Sequence, residues 1–215
     1  MEQKSRGLSK NTIYLRQTAI SRFLEFTGQQ VDYRRVGKSR RNKALPLSRE
    51  EFETLYFQLL RHTNLRNRAL VALFLFCSLR PADVLSLTWA DVQLGNRSGT
   101  LFHHETQRFI PLCAEACLHL INYTQGEKKD PTQKLMNIGR HNAAYLVEKH
   151  FGVQATKLRT TFEYCLIQSG FSDPLIAYLL GRKIPDKAFY LPDPPELSRL
   201  IQRAWATEYP VIATR

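Results

Sequence analysis

Acid is what this sequence is short of: 19 Asp and Glu stand against 31 Lys and Arg, a net charge of +12. The partner that such a surface attracts is a polyanion. Residues 34–43 contain no acid at all, and Arg34, Arg35, Lys38, Arg40, Arg41 and Lys43 crowd into that stretch. A block of this kind suits the phosphate backbone of double-stranded DNA, since each neutralised phosphate releases counterions. The same run also reads as a solvated linker. Cysteine is scarce too. Cys77 and Cys165 lie within apolar helical pattern, as small buried thiols of a reducing compartment. Cys113 and Cys117, with His103, His104 and His119 nearby, do not match paired zinc-ligand spacing, so no metal is expected. Long apolar runs are missing: residues 69–79 are too few to span a bilayer, and residues 1–7 are too polar for a signal peptide. A soluble, cytoplasmic protein without a membrane partner is the expectation. There is no internal repeat and no low-complexity segment.

What is present is an ordinary globular composition, 43% hydrophobic, cut into helical pieces. Ile13, Leu15, Ala19, Ile20, Phe23, Leu24 and Phe26 keep helical spacing, with Ser9 or Asn11 as the cap and Gly28 as the stop. The basic linker follows over residues 29–46. Ser48 and Glu51 form a capping-box pattern ahead of Phe52, Leu55, Phe57, Leu59 and Leu60. Residues 67–79 predict a helix that is apolar all round, hence central. Pro81 starts the next helix, over residues 82–89, and residues 91–96 read as a turn. Residues 100–104 and 107–112 predict a hairpin. Further helices are expected over residues 114–123, 142–150, 156–169, 173–180 and 195–205. The fold class is therefore mainly α with a small antiparallel β-sheet. Three regions are expected: a single helix (1–28), the linker (29–46) and a main domain (47–215).

Four features carry a family resemblance: Arg80 in Ser-Leu-Arg-Pro-Ala-Asp, Arg159 in Leu-Arg-Thr-Thr-Phe, the turn Leu179-Leu180-Gly181, and the late Tyr190. In that order they resemble the catalytic domain of the tyrosine recombinase, or phage integrase, family. The N-terminal helix resembles one piece of that family's core-binding domain, which normally has several. The strand Arg108-Phe109-Ile110-Pro111-Leu112 is similar to a family strand. The resemblance implies a site-specific recombinase that cuts and rejoins DNA through a 3′-phosphotyrosine, with no cofactor and no metal, as a homo-oligomer on DNA. It implies Tyr190 as nucleophile, Arg80 and Arg159 as phosphate clamps, and Asp83 as the group that orients Arg80. Two planar guanidiniums suit this chemistry, because each makes parallel bonds to phosphate oxygens and keeps its charge.

The sequence departs from the family pattern at three places. Thr156 stands where the family has the histidine of His-x-x-Arg; a hydroxyl bonds phosphate but does not shuttle a proton at neutral pH. Arg182 follows Gly181 where histidine or tryptophan is usual, and it can still donate to phosphate. The turn before residues 108–112 lacks the family's general-acid lysine, leaving His103, His104 or Lys157 as candidate acids. Three readings stay open: an active recombinase; a DNA-binding relative with impaired catalysis, acting as an accessory or regulatory factor; and a helical interaction protein that does not bind nucleic acid.

Overall fold

The computed structural model describes residues 8–29, 44–125, 129–139, 142–184 and 189–213. These form two compact units, divided after Lys43. The first contains helix α1 (Lys10–Phe26), capped by Ser9, whose hydroxyl accepts from the Thr12 amide at 3.2 Å. The expected basic residues 34, 35, 38, 40, 41 and 43 lie outside the described residues.

The second unit is built around α3 (Leu65–Phe76), whose residues from Ala69 to Phe76 are all buried. Helices α2 (Arg49–Arg61), α5 (Ala114–Thr124), α6 (Asn142–Phe151) and α7 (Ala155–Gln168) pack around it. Its even greasiness is what calls for partners on every side. The helix stops three residues earlier than the apolar pattern predicts. Ser78 takes a positive φ of 53°, reversing the chain so that Arg80 becomes the cap of α4 (Pro81–Ser86). The Ser48–Glu51 box is formed reciprocally at the start of α2.

The sheet has three antiparallel strands in the order β1 (Val92–Leu94), β2 (Gly99–His103), β3 (Arg108–Leu112). Strand β1 falls where the sequence reads as a turn. Val92 pairs with Leu101 and both Val92 and Leu94 pack on the core, while Gln93 is exposed. That alternation of period two is a strand signal, short enough to be outvoted by the Gly-Asn that follows. Pairing of β2 with β3 runs from Gly99–Leu112 to His103–Arg108, and a single 3₁₀ turn, His104–Thr106, joins them.

Helix α8 (Asp173–Leu179) leads into the Leu180-Gly181 turn, and α9 (Pro194–Glu208) closes the unit. Leu197, Ile201 and Trp205 of α9 are buried. Trp205 packs against Phe52 and Phe76 at ring separations of 5.5 and 5.1 Å. The Tyr209 hydroxyl then donates to the Leu47 carbonyl at 2.8 Å, tying the end of the chain to the entry of the unit. The apolar stripe of α9 is thus spent on the chain's own core. No helix among the described residues is long and apolar enough to cross a membrane.

Candidate active site

Two breaks in helical structure face each other in the second unit, the Ser78–Pro81 corner and the Leu179–Arg182 turn. Proline at the first position of α4 removes an amide that would have no partner, and Arg80 takes extended geometry before it. Asp83 accepts the Arg80 amide at 3.0 Å. It meets Arg80 through the main chain and leaves the guanidinium free to reach across, where it donates to the Gly181 carbonyl at 3.5 Å. Asp83 thus contacts the cap amide and not the guanidinium it was expected to orient.

Arg159, in the second turn of α7, spans both breaks. It donates to the Ser78 carbonyl at 2.6 Å and to the Leu180 carbonyl. The reversed backbone at Ser78 is what turns that carbonyl towards it. Burial, then the charge of Arg80, push the Arg159 guanidinium down to about 10; Asp83 opposes this, while Arg182 and Arg108 add to it. It remains a cation at neutral pH, in a place where positive charge is under-compensated. An anion brought there is stabilised.

Arg80 and Arg159 line one open cavity of about 450 Å³ with Leu79, Pro81, Thr156 and Glu148. Thr156 sits in the first turn of α7, so the amide end of a fourteen-residue helix opens into the same space. Arg182 is close enough to act on Arg159 but is engaged elsewhere. Its two terminal nitrogens grip both oxygens of Glu163 at 2.6 Å each, which raises its pKa.

The remaining candidates are placed differently. Lys157 reaches Glu51 of α2 at 2.6 Å, facing away from Thr156 by helical rotation. His104 is on the surface, 2.6 Å from Asp91. His103 is buried, with Nδ1 bound to Thr106 and Nε2 3.7 Å from Asp83. Tyr190 is 75% exposed, and its hydroxyl donates to Glu196 at 3.4 Å. The charges acting on it are those of Glu196 and Asp193, which raise its pKa. The structure brings Arg80, Arg159, Thr156 and Arg182 together and leaves Tyr190 beside an acid.

Arg108 is the residue that motif reading missed. It is only 4% exposed, and its guanidinium holds the α8 turn from beneath. It donates to the Tyr178 carbonyl at 3.0 Å, to the Leu179 carbonyl at 2.6 Å and to the Thr106 hydroxyl at 3.1 Å. Burial lowers its pKa, with Asp83 the main opposing charge. The signal was present in the strand: Arg108 shares parity with Ile110 and Leu112, the inward positions of β3. Gly181 fits against it. At φ +59° a side chain is strained there, and a Cβ would lie 2.8 Å from the Arg108 guanidinium.

No family model and no curated protein matches this sequence. Solved structures do. The XerA recombinase superposes with a TM-score of 0.54 at 18% identity, over 95% of this chain and 78% of that one. The XerH site-specific recombinase bound to its difH substrate gives 0.60 at 19%, over 92% of this chain and 63% of that one. The Tn1549 transposon integrase in complex with a circular intermediate DNA gives 0.62 at 17%, over 92% and 81%. The fold is that of a tyrosine recombinase catalytic domain. In that fold's terms, this chain sets two guanidiniums and a helix N-terminus on one cavity, with the β2–β3 hairpin and the α8 turn as its supports.

Proposed function

We propose that this protein binds double-stranded DNA and cleaves and rejoins it as a site-specific recombinase, with the scissile phosphate seated in the Arg80–Arg159 cavity. One observation carries the reading: two arginines from opposite halves of the chain line a single cavity at the start of α7. Two guanidiniums and a helix N-terminus suit one phosphodiester. In the reaction the Tyr190 phenol loses its proton and its oxygen bonds to phosphorus. The bond to the 5′ oxygen breaks, giving a 3′-phosphotyrosine and a 5′-hydroxyl that has gained one proton. Reversal by another 5′-hydroxyl rejoins the strand. Arg80 and Arg159 carry the charge that builds on the non-bridging oxygens, and Thr156 adds a hydrogen bond. Arg182 joins them once it leaves Glu163.

Cleavage requires Tyr190 to leave Glu196, a rearrangement that belongs to DNA binding and to assembly of copies of the chain on it. Lys157 and His104 are committed to acids outside the cavity, and proton-transfer groups contribute about 10²–10⁴-fold each. Turnover is therefore slow. The basic residues 34–43 supply further contacts to phosphates, without reading sequence. Neutralising Arg34, Arg35, Arg40 and Arg41 weakens binding across sequences and flattens its salt dependence.

The second reading, a DNA-binding accessory factor without turnover, is favoured by the position of Tyr190 on Glu196. Nicked suicide duplexes separate the two. Under the recombinase reading they trap a covalent adduct that Tyr190→Phe abolishes while gel retardation persists. Retardation with no adduct from the wild-type chain leaves the accessory reading. Binding that ignores salt, or its absence, overturns both.

A further inference from the structure

A run of hydrogen bonds through the β2–β3 hairpin has a fixed direction. Arg108 Nε can only donate, and it donates to the Thr106 hydroxyl at 3.1 Å. The direction of the 2.9 Å contact between that hydroxyl and His103 Nδ1 is set by a second donor. The Thr106 amide donates to the same nitrogen at 3.3 Å. Nδ1 is thus an acceptor twice over, so the ring proton resides on Nε2. The His103 ring is 1% exposed, and Nε2 has no hydrogen-bond partner in the described structure. What it faces, at 3.7 Å, is Asp83 Oδ1, the carboxylate whose other oxygen caps Arg80. Asp83 is also the acid that acts on both Arg108 and Arg159.

We propose that His103 is a positioning residue: as the neutral Nε2–H tautomer it holds Asp83 in place and, through it, the Arg80 cap. The hairpin and the clamp become one unit, Arg108 to Thr106 to His103 to Asp83 to Arg80. The 3.7 Å separation is longer than a hydrogen bond and closes when Arg80 engages a phosphate, as contacts of this kind tighten in complexes. This assigns His103 a role other than acid, since its one proton faces a carboxylate and not the cavity. The proposal rests on Arg80 being a phosphate clamp.

Its test has two parts. Long-range ¹H–¹⁵N correlation on the full wild-type chain reads the tautomer directly: a bare Nδ1 and a protonated Nε2 are expected, and a protonated Nδ1 overturns the proposal. The second part is a double-mutant cycle on binding to generic duplex DNA. His103→Gln keeps a donor where Nε2 was and stays near wild type. His103→Asn keeps only the acceptor towards Thr106 and loses about tenfold in affinity. In an Arg80→Ala background His103→Asn costs nothing more. Equal losses in both backgrounds show a merely structural role and overturn the proposal. If Arg80→Ala alone leaves DNA affinity unchanged, the clamp reading itself fails, which is a different result.

Discussion

Replacing Arg108 by methionine tests whether the candidate site is held up from below. The substitution keeps the length and unbranched shape of the side chain and removes its three hydrogen bonds. Of the carbonyls it serves, Tyr178 keeps a second donor, the Gly181 amide at 3.0 Å, so Leu179 is the one left bare. An unsatisfied buried carbonyl costs about 1–3 kcal/mol, and each lost bond from a charged donor is worth about 1.5–3 kcal/mol before compensation. Compensation is real here, because a buried cation crowded by other arginines also loses its desolvation penalty. The net expectation is destabilisation by about 2–4 kcal/mol. For a chain of this size that lowers Tm by about 5–15 °C. Thermal and urea unfolding measure it. Arg108→Lys, which keeps the charge but not the fork, falls between the two. DNA affinity drops in parallel, since Arg80 and Arg159 both rest on carbonyls of the turn that Arg108 supports. An Arg108→Met protein as stable as its parent refutes the reasoning: the turn would then be held by its backbone alone.

Gly181→Ala strikes the same contact from the other side, combining left-handed strain of about 1–2 kcal/mol with displacement of Arg108, and lowers both Tm and DNA affinity. Glu163→Ala removes a partly exposed ion pair, so stability changes by less than about 1 kcal/mol. Arg182 is freed by that change, and duplex DNA binding tightens with a steeper salt dependence. The four cysteines are all buried and free. Burial pushes the Cys113 thiol up to about 12 and Cys117 to about 11, so at pH 8 a thiol reagent modifies the folded chain only at the rate of its unfolding.

The fold was legible wherever a local signal agreed with a tertiary need. Residues 69–76 are apolar on every face and lie at the centre; Ser48 and Glu51 close the box that their spacing announces. The misses were places where a short element depends on its neighbour. Strand β1 has three residues and exists because Val92 and Leu94 find β2. The early end of α3 is set by Ser78, a residue that enters left-handed geometry at a cost which its carbonyl's bond to Arg159 helps offset. Nothing within residues 67–79 encodes that bond.

The candidate site divides in the same way. Arg80 and Arg159 could be picked out by motif, and the chain path that joins their two breaks supplies the convergence. Arg108 could not, because in a list of residues it is one more cation in a chain rich in them. Its role follows from parity in β3, which turns it inward with Ile110 and Leu112, and an inward arginine must find acceptors or unfold the strand. The acceptors it finds are the carbonyls of the α8 turn, on which Arg80 and Arg159 also draw. Four guanidiniums are thereby gathered about one turn, and Asp83 is the acid among them that faces the hairpin. Main-chain oxygens accept from three of these guanidiniums and the Glu163 carboxylate from the fourth. Arg80 lines the cavity with donors to spare. Under the proposed reading, that division, three arginines mainly anchored and one mainly free, is what separates a phosphate site from a surface that is merely basic.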